Sequence, residues 1–160
     1  MDRKIHGDKA YAAGAPERLE WYRTHLSASL ELIERTGIEK KAWLIDVGGG
    51  TSTLVDDLLD RRFEAITVLD LSGTALSLTR SRLGDRASQV TWIEGDITSA
   101  ELSPAHYELW HDRAVFHFLT AAGDRRRYIQ QLKRSLTPGG HVVLGVFSLD
   151  APTRCTGLAV

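Results

Sequence analysis

The chain has 160 residues, enough for about one domain built around a single core. Its 20 basic and 21 acidic residues leave a net charge of −1, which gives no electrostatic reason to expect a nucleic-acid or membrane partner. The single cysteine, Cys155, excludes a disulfide within the chain and fits a reducing compartment. With no signal-peptide core or membrane-length apolar run in the sequence, we expect a cytoplasmic protein.

The first 36 residues predict one helix after a flexible lead-in. Residues 1–15 are small and polar, and Pro16 suits the first turn of a helix. Apolar residues then recur at three- and four-residue steps from Leu19 to Ile33, and Gly37 follows as a stop. We therefore expect an amphipathic helix over 16–36, followed by a core over 43–147, in a single domain over 1–160.

The rest of the chain alternates strand and helix patterns. Short apolar or β-branched runs predict strands at 44–47, 65–70, 90–94, 107–112 and 141–147. Helical spacing begins at 54, 73 and 124, and Pro138-Gly139-Gly140 predicts a turn before the last strand. The expected inward residues of the last two helices are Leu76, Leu78, Leu83, Tyr128, Ile129, Leu132 and Leu136. This alternation predicts an α/β fold with a parallel sheet and helices on both faces.

Three consecutive glycines, Gly48 to Gly50, join the first strand to the helix beginning at Leu54. Such a junction places backbone N–H groups and a positive helix end beside a ligand that approaches without meeting a Cβ atom. A phosphate loop of nucleotide hydrolases requires a lysine after the glycines, and none follows. A dinucleotide loop requires glycine where the chain has Thr53, which disfavours NAD without excluding it.

The pattern Asp46-x-Gly48-x-Gly50-x-Ser52 resembles motif I of the class I S-adenosylmethionine-dependent methyltransferases. Asp70 and Asp96 follow the second and third strands, where members of that family bind ribose hydroxyls and the adenine amino group. Residues 136–140, Leu-Thr-Pro-Gly-Gly, resemble the family's turn before the fifth strand. The resemblance covers about 43–147 and implies a Rossmann-like, doubly wound sheet of strand order 3-2-1-4-5.

The resemblance also implies a cofactor and its contacts. The cofactor is S-adenosylmethionine, with S-adenosylhomocysteine as product, and Asp46 would accept from its ammonium group. The implied cofactor-binding residues are Trp21, Asp46, Gly48, Gly49, Gly50, Thr51, Ser52, Asp70, Leu71, Asp96, Ile97 and Asp112.

Residues 109–116 are the most distinctive segment. They resemble the Trp-Asp-Arg-Gly-Ala segment of thiopurine-type methyltransferases, while Glu20-Trp21-Tyr22 is similar to lysine methyltransferase-like proteins. The catalytic candidates are Asp112, which we favour as base, His111 and Arg113. Because side chains alternate along a strand, we expect only one of His111 and Asp112 to face the cleft. His117 is interpreted as a hydrogen-bonded histidine at the edge of the core, and no residue spacing predicts a metal site.

Family members continue past the fifth strand with a helix and an antiparallel hairpin, whereas only Ser148 to Val160 follow here. We expect that hairpin to be missing and the fifth strand to be an exposed edge, through which a homodimer could form. The expected function is methyl transfer to an unidentified small-molecule or protein acceptor. The alternatives are a cofactor-binding domain without turnover and an NAD-dependent oxidoreductase.

Overall fold

The computed structural model describes residues 22–113, 115–148 and 150, together with the backbone of 154–155 and 158–159. The helices are α1 (Ser27–Thr36), α2 (Leu54–Asp60), α3 (Gly73–Leu83) and α4 (Ala122–Ser135). The strands are β1 (Leu44–Val47), β2 (Ile66–Asp70), β3 (Val90–Glu94), β4 (Tyr107–Arg113) and β5 (Leu136–Gly145). Two 3₁₀ turns, Gly84–Gln89 and Phe116–Phe118, complete this part of the fold.

The five strands form one parallel sheet of order β3-β2-β1-β4-β5. This confirms the α/β, Rossmann-like fold and its strand order. Every residue of β1 and β2 is buried, as expected of central strands covered on both faces. Two further two-residue strands, β6 (Arg154–Cys155) and β7 (Leu158–Ala159), pair antiparallel as a separate sheet and do not join the main one.

The core has two parts, one on each face of the sheet. Alternate residues of β1 enter different parts: Leu44 packs with α1, α2 and α3, whereas Ile45 packs on the side of α4. The α4 side is built around Trp110 and Tyr128, whose rings meet edge to face with centroids 5.7 Å apart. The first helix closes the other face through Leu30 and Ile33.

The first helix starts later than the sequence pattern suggests. Within the described residues it begins at Ser27, and 22–26 are not helical, although Leu26 is buried. The predicted stop is present, since Gly37 has a φ of +72° and donates its N–H to the carbonyl of Glu34 at 3.1 Å. The predicted lead-in over 1–15 lies outside the described residues.

The Pro-Gly-Gly turn lies inside the last strand rather than before it. Leu136 pairs with Tyr107, the next pair is His141 with Leu109, and 137–140 bulge out between them. Gly139, with a φ of +79°, makes the bend, and a Cβ on Gly140 would stand 3.0 Å from the Thr137 carbonyl oxygen. The strand therefore begins directly at the end of α4.

Two expected inward residues face outward. Ile129 is 43% exposed and Leu78 is 36% exposed. Tyr128 of α4 is buried, and Ile129 lies a further 100° around the helix, on its exposed side. The prediction was wrong at these two positions because apolar character alone does not fix the width of a buried stripe.

Strand β5 is the edge of the sheet and is only half covered. Val143 is buried against the α1 side of the core, whereas Val142, Leu144 and Val146 are each more than 40% exposed. None of the helices described in this structure is long and apolar enough to cross a membrane.

Candidate functional site

The glycine loop is tight because it packs against the protein's own atoms. Gly48 has a φ of +74°, and a Cβ there would lie 2.1 Å from Cγ2 of Val115. A Cβ on Gly50 would lie 2.6 Å from Oδ2 of Asp70 and from Cβ of Ala75. Glycine is therefore needed at both positions before any ligand binds.

The amide groups of these glycines are already engaged. Gly48 and Gly49 donate to the carbonyl of Leu69, at 2.7 and 3.3 Å, and Gly50 donates to Oδ2 of Asp70 at 2.8 Å. The expectation of open N–H groups at these three residues was wrong, because strand β2 and its terminal acid use them. A ligand at this loop must be recognised mainly by other groups.

Asp46 supplies such a group. Its side chain is 3% exposed, and Oδ1 lies 2.7 Å from Nδ1 of His111. Oδ2 is buried without a hydrogen-bond partner among the described residues, and it stands where a Cβ on Gly49 would collide with it. An unpaired buried carboxylate oxygen is costly, so the position suits a cationic donor.

His111 joins Asp46 to the first helix. Its Nε2 lies 2.9 Å from Oγ of Ser29, and all three side chains are buried. A carboxylate only accepts, so Nδ1 carries a proton and donates to Asp46, while Nε2 forms a hydrogen bond with the Ser29 hydroxyl. His111 therefore holds Asp46 in place and does not face an open cleft.

One cation, Arg113, lies near this carboxylate, and a second, Arg23, lies near Arg113. Burial lowers the pKa of the half-buried Arg113 guanidinium, the negative charge of Asp46 opposes that shift, and the positive charge of Arg23 adds to it. The negative charge that acts on Arg113, one of the catalytic candidates, is that of Asp46. A carboxylate and two guanidinium groups together match a ligand end that carries both an ammonium and a carboxylate.

Asp70 ends β2 and shapes the loop before it. Its Oδ2 accepts from Gly50, and its Oδ1 accepts from the backbone N–H of Ser72 at 2.8 Å. Ser72 in turn caps α3 by accepting from the N–H of Ala75 at 3.2 Å. Each carboxylate oxygen has two lone pairs, so these bonds leave capacity to accept from hydroxyl groups.

The third acid, Asp96, lies beyond β3. Its Oδ1 accepts from both the N–H and the hydroxyl of Thr98, at 2.8 and 2.7 Å, which closes the turn after the strand. Oδ2 takes no part in those bonds. Ile97 beside it is a core residue at 3% exposure, while Leu71 is half-buried.

The backbone carbonyl groups of Thr51 and Ser52 are bound by a side chain of helix α3. The Arg82 guanidinium on α3 donates to the carbonyl of Ser52 at 2.7 Å and to that of Thr51 at 3.4 Å. It also pairs with Asp56 at 2.7 Å, and the Thr79 hydroxyl donates to the carbonyl of Gly50. Helix α3 therefore fixes the carbonyl side of the whole loop.

Asp112 is completely buried on the α4 side of the sheet. Its Oδ1 accepts from Val115 N–H at 2.8 Å, and its Oδ2 accepts from Phe116 N–H at 3.2 Å and from the Tyr128 hydroxyl at 2.7 Å. Burial raises its pKa to about 6, against the lowering effect of these bonds and of His111. The opposite orientation of His111 and Asp112 follows strand alternation, but neither side chain faces an open cleft.

The site also contains residues that the motifs did not indicate. They are Ser29, Arg82 and Tyr128, and each forms hydrogen bonds that position a predicted residue. A signal for Tyr128 was present in the sequence, because the hydroxyl of an inward-facing tyrosine needs a buried partner. Tyr128 accepts from the indole N–H of Trp110 at 2.9 Å and donates to Asp112. Trp21 lies outside the described residues.

A groove of about 440 Å³ between α1 and α2 contains none of the predicted site residues. His25, Asp57 and Arg61 lie along it, with Nδ1 of His25 2.8 Å from Oδ1 of Asp57. Among the described residues, no three His, Cys, Asp or Glu side chains are grouped so as to hold a metal ion. The absence of a metal stays a prediction.

Comparison with known proteins identifies the family. The family model described as a methyltransferase domain matches residues 45–142, which run from β1 into β5. The chain belongs to the methyltransferase domain family. The matched range contains Asp46, the glycine loop, Asp70 and Asp96.

Individual relatives of this methyltransferase domain are more distant. It is 28% identical over 134 residues to an uncharacterized methyltransferase of Mycobacterium tuberculosis, covering 84% of this chain and 62% of the relative. It is 23% identical over 136 residues to the eEF1A lysine and N-terminal methyltransferase of Bos taurus, covering 85% of this chain and 19% of that protein. The domain thus spans less than two thirds of either relative.

A solved structure agrees with the fold. The glycopeptide N-methyltransferase MtfA, complexed with S-adenosyl-L-methionine, superposes with a TM-score of 0.65 at 24% identity. The alignment covers 82% of this chain and 58% of that one. This likeness shows that the methyltransferase domain shares the Rossmann-like fold of that enzyme.

Proposed function

We propose that this domain binds S-adenosylmethionine along the ends of β1, β2 and β3 and transfers its methyl group to an amine. The observation that carries the proposal is the unpaired, buried Oδ2 of Asp46 beside the glycine loop. Burial lowers the pKa of Arg113 and the negative charge of Asp46 opposes that shift, so a cation lies close to this hydrogen-bond acceptor. A methionine end, with one ammonium and one carboxylate, is complementary to this pair.

The residues of the domain divide the binding between three strand ends. Asp46 would accept from the ammonium group, Asp70 from ribose hydroxyls, and Asp96 from the adenine amino group. The bound cofactor supplies an activated methyl group on a sulfonium. The domain's part is alignment and exclusion of water, which fits side chains that are held by the bonds described above.

Asp112 is better suited to positioning than to proton transfer. Both of its oxygens accept hydrogen bonds from Val115, Phe116 or Tyr128, and the side chain is fully buried. A base must come within hydrogen-bond reach of the proton it removes. We therefore propose that Asp112 fixes the turn 115–118, and we no longer favour it as the base.

An amine acceptor is supported by the relatives. The bovine relative is named for lysine and N-terminal methylation, and the solved neighbour is named as an N-methyltransferase. The domain spans only 62% of the mycobacterial relative, so the activity of a whole relative does not carry over to it directly. We therefore propose the amine acceptor by analogy.

The NAD-dependent alternative has less support. A pyrophosphate is normally bound by the loop's N–H groups and the helix end, but here Leu69 and Asp70 use the amides of Gly48 to Gly50. Thr53, in place of the third glycine of that motif, donates its hydroxyl to the carbonyl of Arg23 at 2.8 Å.

The deciding experiment is calorimetric titration with S-adenosylmethionine, S-adenosylhomocysteine and NAD. We expect the first two to bind and NAD not to bind. Asp46→Asn should weaken the binding of both methionine-containing ligands by about 100-fold, since a charge-assisted bond is lost from a buried site. Asp85→Asn, an exposed acid in the turn after α3, is the matched control and should leave affinity unchanged.

Each alternative gives a different result. Absence of S-adenosylmethionine binding would overturn the proposal, and preferential binding of NAD would favour the oxidoreductase. Binding without methyl transfer to any of a panel of primary amines, including a lysine peptide and a peptide N-terminus, would favour a cofactor-binding domain without turnover.

We also propose a homodimer through the edge of β5, on which Val142, Leu144 and Val146 are exposed. Light scattering at micromolar concentration should give twice the mass of one chain, and a single-chain mass would contradict the dimer.

A cytoplasmic location is proposed on the single cysteine of the sequence. Fractionation of cells expressing the protein checks it.

A further inference from the structure

The two ring nitrogens of His117 are buried and have no hydrogen-bond partner among the residues that the structure describes. Few side-chain atoms in the described residues are both shielded from water and unpaired: Asp46 Oδ2, Asp57 Oδ2, Ser135 Oγ and the two nitrogens of His117. A neutral imidazole carries one donor and one acceptor, and both need partners when water is excluded. The interpretation of His117 as a hydrogen-bonded core-edge histidine is therefore not supported among the described residues.

The position of His117 is defined by the strand order. Asp46, Asp70 and Asp96 lie at or beyond β1, β2 and β3, so a second substrate must approach from the remaining edge, over β4 and β5. His117 lies in the turn that follows β4, and its ring stacks on Phe147 beyond β5, with centroids 4.4 Å apart and planes 6° apart. The stacked pair bridges the ends of these two strands.

The turn that carries His117 is fixed to the glycine loop. Asp112 accepts from the N–H groups of Val115 and Phe116, and the ring of Phe116 packs 5.0 Å from that of Tyr128. Val115 in turn contacts Gly48 closely, as the 2.1 Å approach to a Cβ there indicates. His117 is thus held at a set distance from the methionine end of the proposed site.

We propose that His117 is the group that receives the proton of the methyl acceptor, an amine. This inference rests on the proposed methyl transfer. The acceptor nitrogen forms a bond to the methyl carbon as the carbon–sulfur bond breaks, and the sulfur keeps that electron pair. The proton leaves the nitrogen for the unprotonated ring nitrogen of His117, which becomes an imidazolium, and the transferred proton accounts for the charge that the sulfonium loses.

Two properties of the ring fit this role. Burial lowers the pKa of His117 below its usual 6.5, so the ring is neutral and able to accept a proton at neutral pH. Phe147, which stacks on the ring face, is 42% exposed, so the stacked pair lies close to the surface from which an amine would approach.

The test uses sinefungin, which carries an amine in place of the methylsulfonium. The full chain, with ¹⁵N-labelled histidine, is saturated in turn with S-adenosylhomocysteine and with sinefungin, and imidazole ¹⁵N shifts are recorded, with His117→Phe giving the assignment. We expect His117 resonances to move toward the protonated values with sinefungin and not with S-adenosylhomocysteine. A change with both ligands, or with neither while both bind, overturns the proposal.

Binding of the same two ligands provides the second measurement. His117→Phe should weaken the binding of sinefungin by about tenfold and change the affinity for S-adenosylhomocysteine by no more than about twofold. Only sinefungin offers a hydrogen-bond donor to the ring. His106→Phe is the matched control. That ring also contacts aromatic neighbours, tilted against Trp43 and edge to face with Tyr107, but lies at the opposite end of β4. Equal weakening of both ligands by His117→Phe contradicts the role, whereas failure of the unaltered chain to bind either ligand overturns the proposed function itself.

Discussion

The ends of β1, β2 and β3 and the ends of β4 and β5 form one edge of the same sheet, but their polar groups are satisfied to different degrees. On the first side, Asp70 and Asp96 bond to nearby backbone, and Asp46 keeps one oxygen unpaired. On the second side, His117 has no partner for either nitrogen among the described residues, and Val142 and Leu144 are half exposed. In our proposal the first side is the cofactor side and the second is the acceptor side, so the groups for the cofactor are nearly complete within the chain, whereas those for the acceptor still need partners.

The strongest test of this contrast is the contact that joins the two sides. Gly48→Ala places a Cβ against Val115 at a φ of +74°, so we expect S-adenosylmethionine binding to be lost and the free energy of unfolding to fall by about 2–4 kcal/mol. Gly37→Ala is the control, because it has a φ of +72° with nothing within 4 Å and should cost only about 1 kcal/mol. Urea unfolding and calorimetry measure both. If Gly48→Ala were as mild as Gly37→Ala, the turn and the loop would not be coupled.

The second test concerns the buried acid beneath the acceptor side. The pKa of Asp112 is raised from 3.8 to about 6, so the folded state binds its proton more tightly than the unfolded state does. The stability from this group is complete below pH 4 and is lost as pH rises through 6, by about 3 kcal/mol at most. Asp112→Asn removes this dependence, so the free energy of unfolding of the unaltered chain should fall between pH 4 and 7 relative to the variant. Urea unfolding across that range measures the difference, and parallel pH profiles would contradict the burial argument.

The third test concerns the support of Asp46 on the cofactor side. His111→Ala removes the donor to Oδ1 of Asp46 and should weaken the binding of S-adenosylmethionine by about 10- to 100-fold. His111→Asn keeps a side-chain N–H that can reach Asp46, and it should recover most of that loss. Ser29→Ala removes only the outer bond and should cost about threefold. Calorimetry gives the three affinities. If the His111→Asn variant binds S-adenosylmethionine no better than the His111→Ala variant, His111 acts through packing and not through its hydrogen bond to Asp46.

The smallest expected effect is at the exposed edge. At a protein concentration low enough for the chain to be monomeric, Val142→Thr, on the exposed face of β5, should change the free energy of unfolding by less than about 0.5 kcal/mol. Val143→Ala, on the buried face, should lower it by about 1–3 kcal/mol. Urea unfolding at two protein concentrations measures both. A loss at Val142 that is larger at the higher protein concentration and shrinks on dilution would mean that a second copy covers this face.

Much of the fold could be predicted because its signals are local. Four-residue apolar runs, glycine breaks and helical spacing depend on neighbours in sequence, and they predicted the five parallel strands, whereas the strand order was implied by the resemblance to the methyltransferases. The errors arose where tertiary contacts decide. Tyr128 takes the inward position on α4 because Asp112 and Trp110 offer it partners, so Ile129 is turned outward.

The acids of the site could be found by their place at strand ends, but their partners could not. Ser29 and His111 are 82 residues apart, and no spacing rule connects a serine on the first helix with a histidine on the fourth strand. Asp112 looked like a base because it ends a strand beside the predicted cleft. The backbone N–H groups of the following turn occupy it instead, and a sequence does not show how that turn closes.

The attachment of the glycine loop to α3 has a consequence for the energetics of ligand exchange. Arg82 and Thr79 hold the carbonyl groups of Gly50, Thr51 and Ser52, so the loop keeps its shape through bonds to the protein itself. The entropy of ordering it is lost once, when the chain folds, and not again at each binding event. A product can therefore leave, and a new cofactor arrive, on a surface that is already formed.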